Sequence, residues 1–230
     1  MPSISYLVTV KNETKTLKNL LDRLDKYIDK DKDEVVILDD FSDSEETKKI
    51  LSQASYRDYV RLYQHALERN YSAHKNYGNS LCKNAFIFQI DGDECPTETL
   101  LTNISEIIGT NPDIEVFLVP RINAFIGLKP EHSKQWGWVL SPSPSYGGRP
   151  KVNWPDYQGR IYRNDPKRIK WDRRLHEKLE GYSKFSSIPE DEDLALYHDK
   201  TIETQIKTNI RYNEWFTDEE NRGHKGFSNK

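Results

Sequence analysis

Cysteine and long apolar runs are scarce in this sequence. Cys82 and Cys95 are the only cysteines among 230 residues, too few for the disulfide framework of a small secreted domain and without the spacing of a zinc site. No stretch approaches the ~20 consecutive apolar residues of a membrane span. The first ten residues lack the basic region and the cleavage site of a signal peptide. We therefore expect a cytoplasmic protein with no transmembrane segment.

An excess of positive charge is also absent. The chain carries 34 Lys and Arg residues against 37 Asp and Glu residues, which gives a net charge of −3. Because a domain that binds duplex nucleic acid is usually basic, the sequence predicts no nucleic-acid partner. Aromatic residues make up 11% of the chain, and such residues are scarce in chains that stay unfolded. We expect one folded α/β domain with a polar tail.

Apolar runs alternate with amphipathic stretches over the first 120 residues. Leu17, Leu20, Leu21 and Leu24 recur at the spacing of one helix face, and short apolar runs bounded by turns favour strands. The patterns predict strands over residues 4–10, 34–38, 60–63, 85–90 and 116–120, and helices over 14–28, 44–54, 72–82 (with Ser72 as N-cap) and 96–108. Repeated βα units of this kind predict a mostly parallel sheet flanked by helices, which binds ligands at the carboxyl ends of its strands.

The chain becomes rich in loop-forming residues from about residue 126. Proline and glycine interrupt this segment, and it contains the aromatic residues Trp136, Trp138, Trp154 and Tyr157. These rings could stack on the sugar face of an acceptor, or they could be ordinary packing residues. Residues 159–163 return to a strand pattern. We place the domain boundary at residue 216 and expect residues 217–230 to be a mobile tail, since they show no hydrophobic periodicity.

Two acidic clusters follow predicted strands directly, at the edge of the sheet where ligands bind. Asp91-Gly92-Asp93 offers two carboxylates on one turn, which suits Mn²⁺ or Mg²⁺ shared with substrate phosphates. A plain turn is the alternative. Asp39-Asp40 opens a second turn, rich in hydrogen-bond acceptors, which could bind a nucleotide base or could only cap the following helix.

Basic and amide residues lie near the start of the third predicted helix. Arg69, Lys75 and Asn76 could bind a diphosphate together with the helix N-terminus, or they could form a solvated face.

The sequence at this point resembles the family 2 glycosyltransferases of the GT-A fold. The segments that carry the resemblance are VTVKNE, VVILDDFSDSEET, RNYSAHKNYGNSL and IFQIDGDE in the first 94 residues. Lys75-Asn76 stands where the family usually has Arg-Asn. WPDYQGRIYRND, LHEKL and ALYHDK further along are similar to segments of the small bacterial enzymes that add a sugar to the lipopolysaccharide core. The resemblance covers roughly residues 4–215.

The resemblance implies an inverting sugar transfer that depends on Mn²⁺ or Mg²⁺. The donor would be a nucleoside diphosphate sugar, most commonly UDP-linked, and the acceptor a glycan, a lipid-linked molecule or another hydroxyl compound. Glu177 would be the catalytic base, with Asp172 in reserve because the family's usual Glu-Asp pair is replaced by His176-Glu177. The implied metal ligands are Asp91, Asp93 and His198, and the implied donor-binding residues are Val10, Asn12, Glu13, Asp39, Asp40, Arg69, Lys75, Asn76, Asp91 and Gly92.

Three other functions share some of these features. A sugar-1-phosphate nucleotidyltransferase would need a glycine-rich loop after the first strand, where VTVKNETKT has no glycine. A haloacid-dehalogenase-like phosphatase usually has its Asp-x-Asp near the start of the chain. A catalytically silent sugar- or nucleotide-binding module of the same fold stays open, and the presence of Asp91, Asp93, Glu177 and His198 argues against it.

Overall fold

A seven-stranded sheet forms the centre of the molecule in the computed structural model, which describes residues 1–143 and 148–221. Its strands, in order across the sheet, are β13 (Phe185–Ser187), β6 (Val116–Val119), β10 (Gln158–Arg163), β4 (Phe86–Asp91), β1 (Ile4–Val10), β2 (Glu34–Asp39) and β3 (Val60–Gln64). β1 pairs in parallel with β2 and β4, β2 pairs in parallel with β3, and β10 runs antiparallel between β4 and β6.

The predicted mostly parallel sheet with flanking helices is confirmed. The helices of this region are α1 (Lys15–Tyr27), α2 (Glu45–Ala54), α3 (Tyr71–Leu81) and α4 (Glu98–Thr110). α1 buries the predicted leucine stripe against the sheet. Helix α3 begins earlier than predicted, because the Asn70 side chain, and not Ser72, accepts the hydrogen bond from the Ala73 N–H at 3.1 Å.

A second sheet lies beside the first and includes part of the segment that the sequence predicted to be loops. Its strands, in order across the sheet, are β5 (Glu94–Pro96), β14 (Leu196–Thr201), β7 (Arg121–Ile126), β9 (Lys151–Val152) and β8 (Leu140–Ser141). Only β8, β9 and the helix α5 (Pro130–Trp136) fall within the predicted loops. Strands of two residues cannot be recognised from periodicity, which explains why β8 and β9 were not predicted. Residues 144–147 of this segment lie outside the described residues.

The two sheets meet at the acidic cluster that follows β4. β14 pairs antiparallel with β5, so that His198 stands opposite Glu94, and it pairs in parallel with β7 on its other side. A small hairpin of β11 (Lys170–Asp172) and β12 (Lys178–Glu180) packs against α3. These connections bring chain segments about a hundred residues apart to the carboxyl edge of the central sheet.

Two helices, α6 (Ile202–Trp215) and α7 (Asp218–Asn221), end the described chain. α7 falls within the segment expected to be a mobile tail, yet its residues contact the domain. Arg174 lies 3.4 Å from the Glu220 carboxylate, and the Nε2 of His176 lies 3.1 Å from the Asn221 carbonyl oxygen. The rest of the expected tail, residues 222–230, lies outside the described residues. None of the helices in residues 1–143 and 148–221 is both long and apolar enough to cross a membrane.

Candidate active site

The turn after β2 is held together by its own acidic residues. Asp39 is only 3% exposed, and its carboxylate accepts hydrogen bonds from the Ser42 N–H at 3.0 Å and from the Gln64 side-chain amide at 3.1 Å. Asp40 is partly exposed and accepts one hydrogen bond, from the Leu67 N–H at 2.9 Å, through Oδ1. Asp40 therefore has the more accessible carboxylate for a ligand, while Asp39 maintains the shape of the turn.

The loop after β1 is joined to this turn. Asn12 adopts a positive φ of 66°, and its side-chain oxygen accepts hydrogen bonds from the N–H groups of Asp43 at 2.9 Å and Ser44 at 3.0 Å. Its amide donates to the Asp43 carboxylate at 2.7 Å. Lys11 Nζ donates to the Phe41 carbonyl oxygen at 3.0 Å. Asn12 thus positions the Asp39–Ser44 turn, and the ends of β1 and β2 form one connected edge.

Glu13 lies against the glycine of the second acidic cluster. A Cβ at Gly92 would lie 3.1 Å from the Thr9 carbonyl oxygen and 3.2 Å from Glu13 Oε2, so this close approach favours glycine. The Lys11 N–H donates to the same Oε2 at 2.5 Å. Burial, together with the nearby Asp93 carboxylate, raises the pKa of Glu13 to about 7. Glu13 is therefore a weakly acidic carboxyl group at the carboxyl edge of the central sheet.

Asp91 is neutralised by two protein cations. Arg160 donates to Oδ2 at 2.7 Å, and Lys75 Nζ lies 3.3 Å from Oδ1. The Thr9 hydroxyl at 2.9 Å and the Gln89 amide at 2.8 Å also donate to Oδ1. Burial alone would raise the pKa of Asp91, but the Arg160 guanidinium and the Lys75 ammonium hold it well below its usual range. The structure thus surrounds Asp91 with cations and donors where the sequence predicted a metal ligand.

Asp93 and His198 do come together. Nε2 of His198 lies 3.3 Å from Asp93 Oδ2, and Nδ1 lies 2.7 Å from Asn123 Oδ1. The Asn123 amide donates to the Asp156 carboxylate at 2.8 Å. Because a carboxylate can only accept, this contact fixes the Asn123 amide with its oxygen toward His198, so His198 Nδ1 must donate. Burial, aided by the Lys200 ammonium, lowers the pKa of His198, so the ring is neutral.

This arrangement leaves two electron-rich atoms facing each other. In the tautomer that Asn123 selects, the Nε2 lone pair of His198 points at Asp93 Oδ2. Such a pair is favourable only with a cation beside it, and Lys200 Nζ lies 3.1 Å from the same oxygen. Asp93 and His198 therefore fit a divalent cation as two of its ligands. Among the described residues, no three His, Cys, Asp or Glu side chains gather into a larger set of ligands.

Glu177 is joined to the acidic cluster through Lys75. The ammonium of Lys75 donates to Glu177 Oε1 at 2.6 Å and also lies above the Trp171 ring, 4.8 Å from its centre. The side chain of Lys75 is 4% exposed and that of Glu177 17% exposed. Burial alone would raise the pKa of Glu177, but Lys75 brings it below its usual value although Asp91 opposes this. Glu177 is therefore an ionised, half-buried carboxylate at the edge where the donor would bind.

The neighbouring residues of α3 have structural contacts. Asn76 donates to the Trp171 carbonyl oxygen at 2.8 Å and accepts from the Trp171 N–H at 2.9 Å, so its amide fastens β11 to the helix. Arg69 is exposed, with φ of 55°, and its guanidinium lies 5.4 Å from the centre of the Trp215 ring. Neither contact places these side chains among the carboxylates.

Two further predicted residues differ in exposure. Val10 is 3% exposed at the end of β1, so only its backbone lies at the carboxyl edge of the central sheet. Its carbonyl oxygen accepts a hydrogen bond from the Asp40 N–H at 2.9 Å. Asp172 is exposed on β11, on the opposite side of the strand from the buried Trp171.

The aromatic residues predicted to bind an acceptor mostly pack against protein. Trp138 stacks on Phe125 with ring centres 4.5 Å apart, and Trp136 lies 4.6 Å from Trp138. The Trp154 ring carries the Lys151 ammonium 4.4 Å from its centre. The Tyr157 hydroxyl donates to a backbone carbonyl oxygen at 3.2 Å. These contacts show that the four rings serve local packing, although all four residues remain partly exposed.

Sequence reasoning missed three residues that shape the site. Arg160 is 3% exposed and bonds to both Asp91 and Glu94, the latter at 2.6 Å. Asn123 sets the tautomer of His198, and Lys200 lies beside Asp93. The available signal was the position of Arg160 within a predicted strand, beside Ile161 and Tyr162, because a buried cation requires a buried carboxylate.

Comparisons with known proteins show the family and the fold. The family model described as glycosyl transferase family 2 matches residues 5–184. Crystal structures of S. aureus TarS 1-349 are similar in fold: one matches with 18% identity and a TM-score of 0.60 over 86% of this chain and 60% of that chain. The complex with UDP-GlcNAc matches with 19% identity and a TM-score of 0.61, over 86% and 58%. No curated protein matches the sequence.

A third solved structure has a weaker similarity in fold. The mannosyltransferase PcManGT from Pyrobaculum calidifontis, in complex with GDP-Man and Mn²⁺, matches with 17% identity and a TM-score of 0.45, over 64% of this chain and 49% of that chain. This likeness is too low to support an inference. The chain spans about three fifths of the TarS 1-349 structures. Since the family model covers most of the chain, this protein belongs to glycosyl transferase family 2.

Proposed function

We propose that this protein transfers a sugar from a nucleoside diphosphate sugar to a hydroxyl acceptor, with inversion at the anomeric carbon. The observation that carries the proposal is the link from Glu177 through Lys75 to Asp91, with contacts of 2.6 Å and 3.3 Å. It places an ionised carboxylate beside the residues that would hold the donor. Family membership supports the reaction class. A UDP-sugar is the first donor to test, because TarS has been crystallised with UDP-GlcNAc and with UDP.

Each group in this proposal has one task. Asp40 accepts a hydrogen bond from the base or ribose, and Asp91, held by Arg160, borders the ribose. Glu177 takes the proton of the acceptor hydroxyl while the oxygen–carbon bond forms and the bond from carbon to the diphosphate breaks. Lys75 keeps Glu177 ionised and oriented.

A divalent cation would be held by Asp93 and His198. When bound, it would offset the charge that develops on the leaving diphosphate. Asn123 prepares this position by keeping the His198 lone pair directed at Asp93.

The experiment measures binding and turnover separately. Thermal shift with UDP-GlcNAc and a panel of other nucleotide sugars, each with Mn²⁺ or with a chelator, reports donor binding, and release of the nucleoside diphosphate reports turnover. We expect stabilisation that requires Mn²⁺ and disappears in Asp93→Asn. Asp113→Asn is the matched control, because the Asp113 side chain is 81% exposed and pairs with Lys184 at the surface.

Two results would oppose the proposal. Stabilisation by nucleotide sugars without any release of diphosphate in the presence of varied acceptors would favour a silent binding module. Equal stabilisation of the parent and Asp93→Asn proteins by Mn²⁺ and donor would show that Asp93 does not bind the cation.

A further inference from the structure

The inward face of α6 changes character along its length. Ile202 at its start and Phe216 just beyond its end are buried, as expected for a helix that packs on a domain. Between them, the half-buried positions of the first half of the helix are polar, and those near its end are the aromatic Tyr212 and Trp215. Gln205, Thr208 and Asn209 share the face of Ile202 at the i, i+3, i+4 spacing of a helix. A polar stretch in the middle of a packing face indicates that the helix crosses a polar space there.

The two ends of α6 are anchored on opposite parts of the active site. Its first residue follows β14, the strand that carries His198. Near its other end, the Tyr212 ring lies edge-on to Tyr71, with centres 6.2 Å apart, and edge-on to His176 at 6.3 Å. His176 precedes Glu177 in sequence, and Tyr71 is the first residue of the helix that carries Lys75.

The length of α6 sets the distance between these anchors. A helix of 14 residues is about 21 Å long. α6 therefore runs from the strand of the cation-binding histidine to the segment of the base. Burial and the neighbouring Tyr71 raise the pKa of the Tyr212 hydroxyl, and the nearby Glu177 carboxylate raises it further. The middle of α6 therefore lies between the strand that carries His198 and the segment that carries Glu177.

The polar groups on this face are available to a ligand. Gln205 Nε2 donates to Asn209 Oδ1 at 2.8 Å, and within the described residues this is the one hydrogen bond that involves any of the three side chains. The Gln205 carbonyl oxygen, the Asn209 amide N–H groups and the Thr208 hydroxyl remain free to bond. The face contains no charged residue, since Glu203, Lys207 and Arg211 are exposed on the other side. Neutral donors and acceptors at this spacing suit the hydroxyl groups of a sugar.

We infer that Gln205, Thr208 and Asn209 form the subsite for the acceptor, and that the acceptor group bound there is a neutral pyranoside. This inference rests on the proposed glycosyl transfer. It goes further by naming the residues and the chemical class that decide acceptor affinity. The aromatic residues of the loop-rich segment are then of secondary importance for the acceptor, because they contact protein.

The test separates acceptor affinity from donor affinity. The probes are methyl glycosides of the common neutral hexoses, offered as acceptors with the best nucleotide sugar and Mn²⁺. The double variant Gln205→Ala/Asn209→Ala should raise the KM of the best accepted glycoside by about tenfold, as expected for the loss of two hydrogen bonds. The KM for the donor should stay within twofold. Alanine favours a helix at both positions, so α6 should remain folded.

A matched control lies on the outer face of the same helix. Glu214→Ala removes an exposed side chain and should leave both KM values at those of the parent. An unchanged glycoside KM in the double variant, or an equal rise in Glu214→Ala, would overturn the inference. So would a protein that hydrolyses the donor yet accepts no neutral glycoside. A protein that neither binds nor hydrolyses any nucleotide sugar would instead refute the proposed function.

Discussion

Lys75 and Glu177, 102 residues apart in sequence, form a 2.6 Å ion pair at the carboxyl edge of the central sheet. The contact links α3, on which Lys75 lies, to the segment between β11 and β12. Lys75 is almost fully buried, so the ammonium has little water around it and its interaction with a carboxylate is weakly screened. The charge state of the proposed base therefore depends on one side chain that the sequence suggested for a different task, the binding of a diphosphate.

Removal of the Lys75 charge should change the pH dependence of transfer. Lys75 lowers the pKa of Glu177, and a base must be deprotonated to act, so Lys75→Met should move the acid limb of the kcat profile to higher pH. Lys75→Arg keeps the positive charge and should retain most of the parent profile. The measurement is kcat at saturating donor between pH 5 and 9. An acid limb that stays in place in Lys75→Met would show that the ion pair does not control the base.

The two candidate bases can be separated by isosteric amides. Glu177→Gln should lower kcat by about 10²–10⁴-fold, because it removes the proton acceptor and keeps the shape of the side chain. Donor binding, followed by thermal shift, should persist. Asp172→Asn is the comparison, since Asp172 is exposed on the neighbouring strand, and we expect it to retain turnover. Loss of turnover in Asp172→Asn with retention in Glu177→Gln would transfer the role to Asp172.

The regular part of the fold followed from the sequence. Continuous apolar strands and the leucine stripe of α1 are long, periodic signals, and the structure contains them within two residues of the expected bounds. The second sheet was not predicted, since β8 and β9 have only two residues each and the pairing of β7 with β14 joins segments about 75 residues apart in sequence. The start of α3 was misplaced because Asn70 and Ser72 are both good N-caps, and only the backbone geometry distinguishes them.

The site was predictable in composition but not in its pairings. Strand ends located the acidic clusters at one edge, as a parallel sheet requires. The identity of each partner depends on tertiary contacts: Arg160 reaches Asp91 from β10, and Asn123 reaches His198 from β7. No spacing rule connects residues on different strands. The sequence therefore located the carboxylates, but it did not show which buried cation neutralises each of them.

His65 and His74 lie with their Nδ1 atoms 3.1 Å apart, next to the Asp39–Ser44 turn, and His74 is buried. This pair should make stability depend on pH. Burial, and then the neighbouring His65, lower the pKa of His74 to about 4 from 6.5. Between these values the unfolded chain binds the proton and the folded chain does not, so stability falls as the pH falls through this range, by up to about 3 kcal/mol. Glu13 acts in the opposite direction, because its folded pKa is raised. The measurement is therefore the difference in urea stability between the parent and His74→Gln at pH 7.5 and at pH 4.5. An equal change in both proteins would contradict the prediction.

Arg160 should contribute more to stability than any exposed ion pair of this chain. Its guanidinium bonds to Asp91 at 2.7 Å and to Glu94 at 2.6 Å; Arg160 and Glu94 are buried, and Asp91 is partly exposed. Arg160→Met keeps the length of the side chain but leaves two carboxylates partly uncompensated, which typically costs about 3–5 kcal/mol of unfolding free energy at neutral pH. Without Arg160 the pKa of Asp91 should rise, so the carboxylate can take up a proton and the loss of stability should become smaller as the pH falls.

Urea unfolding at pH 7.5 and 5 measures both effects. Arg168→Met is the control, because the Arg168 guanidinium is exposed and pairs with the partly buried Glu115, and it should change stability far less. A deficit for Arg160→Met that is equal to that of Arg168→Met, or that grows at the lower pH, would show that Arg160 does not neutralise these carboxylates.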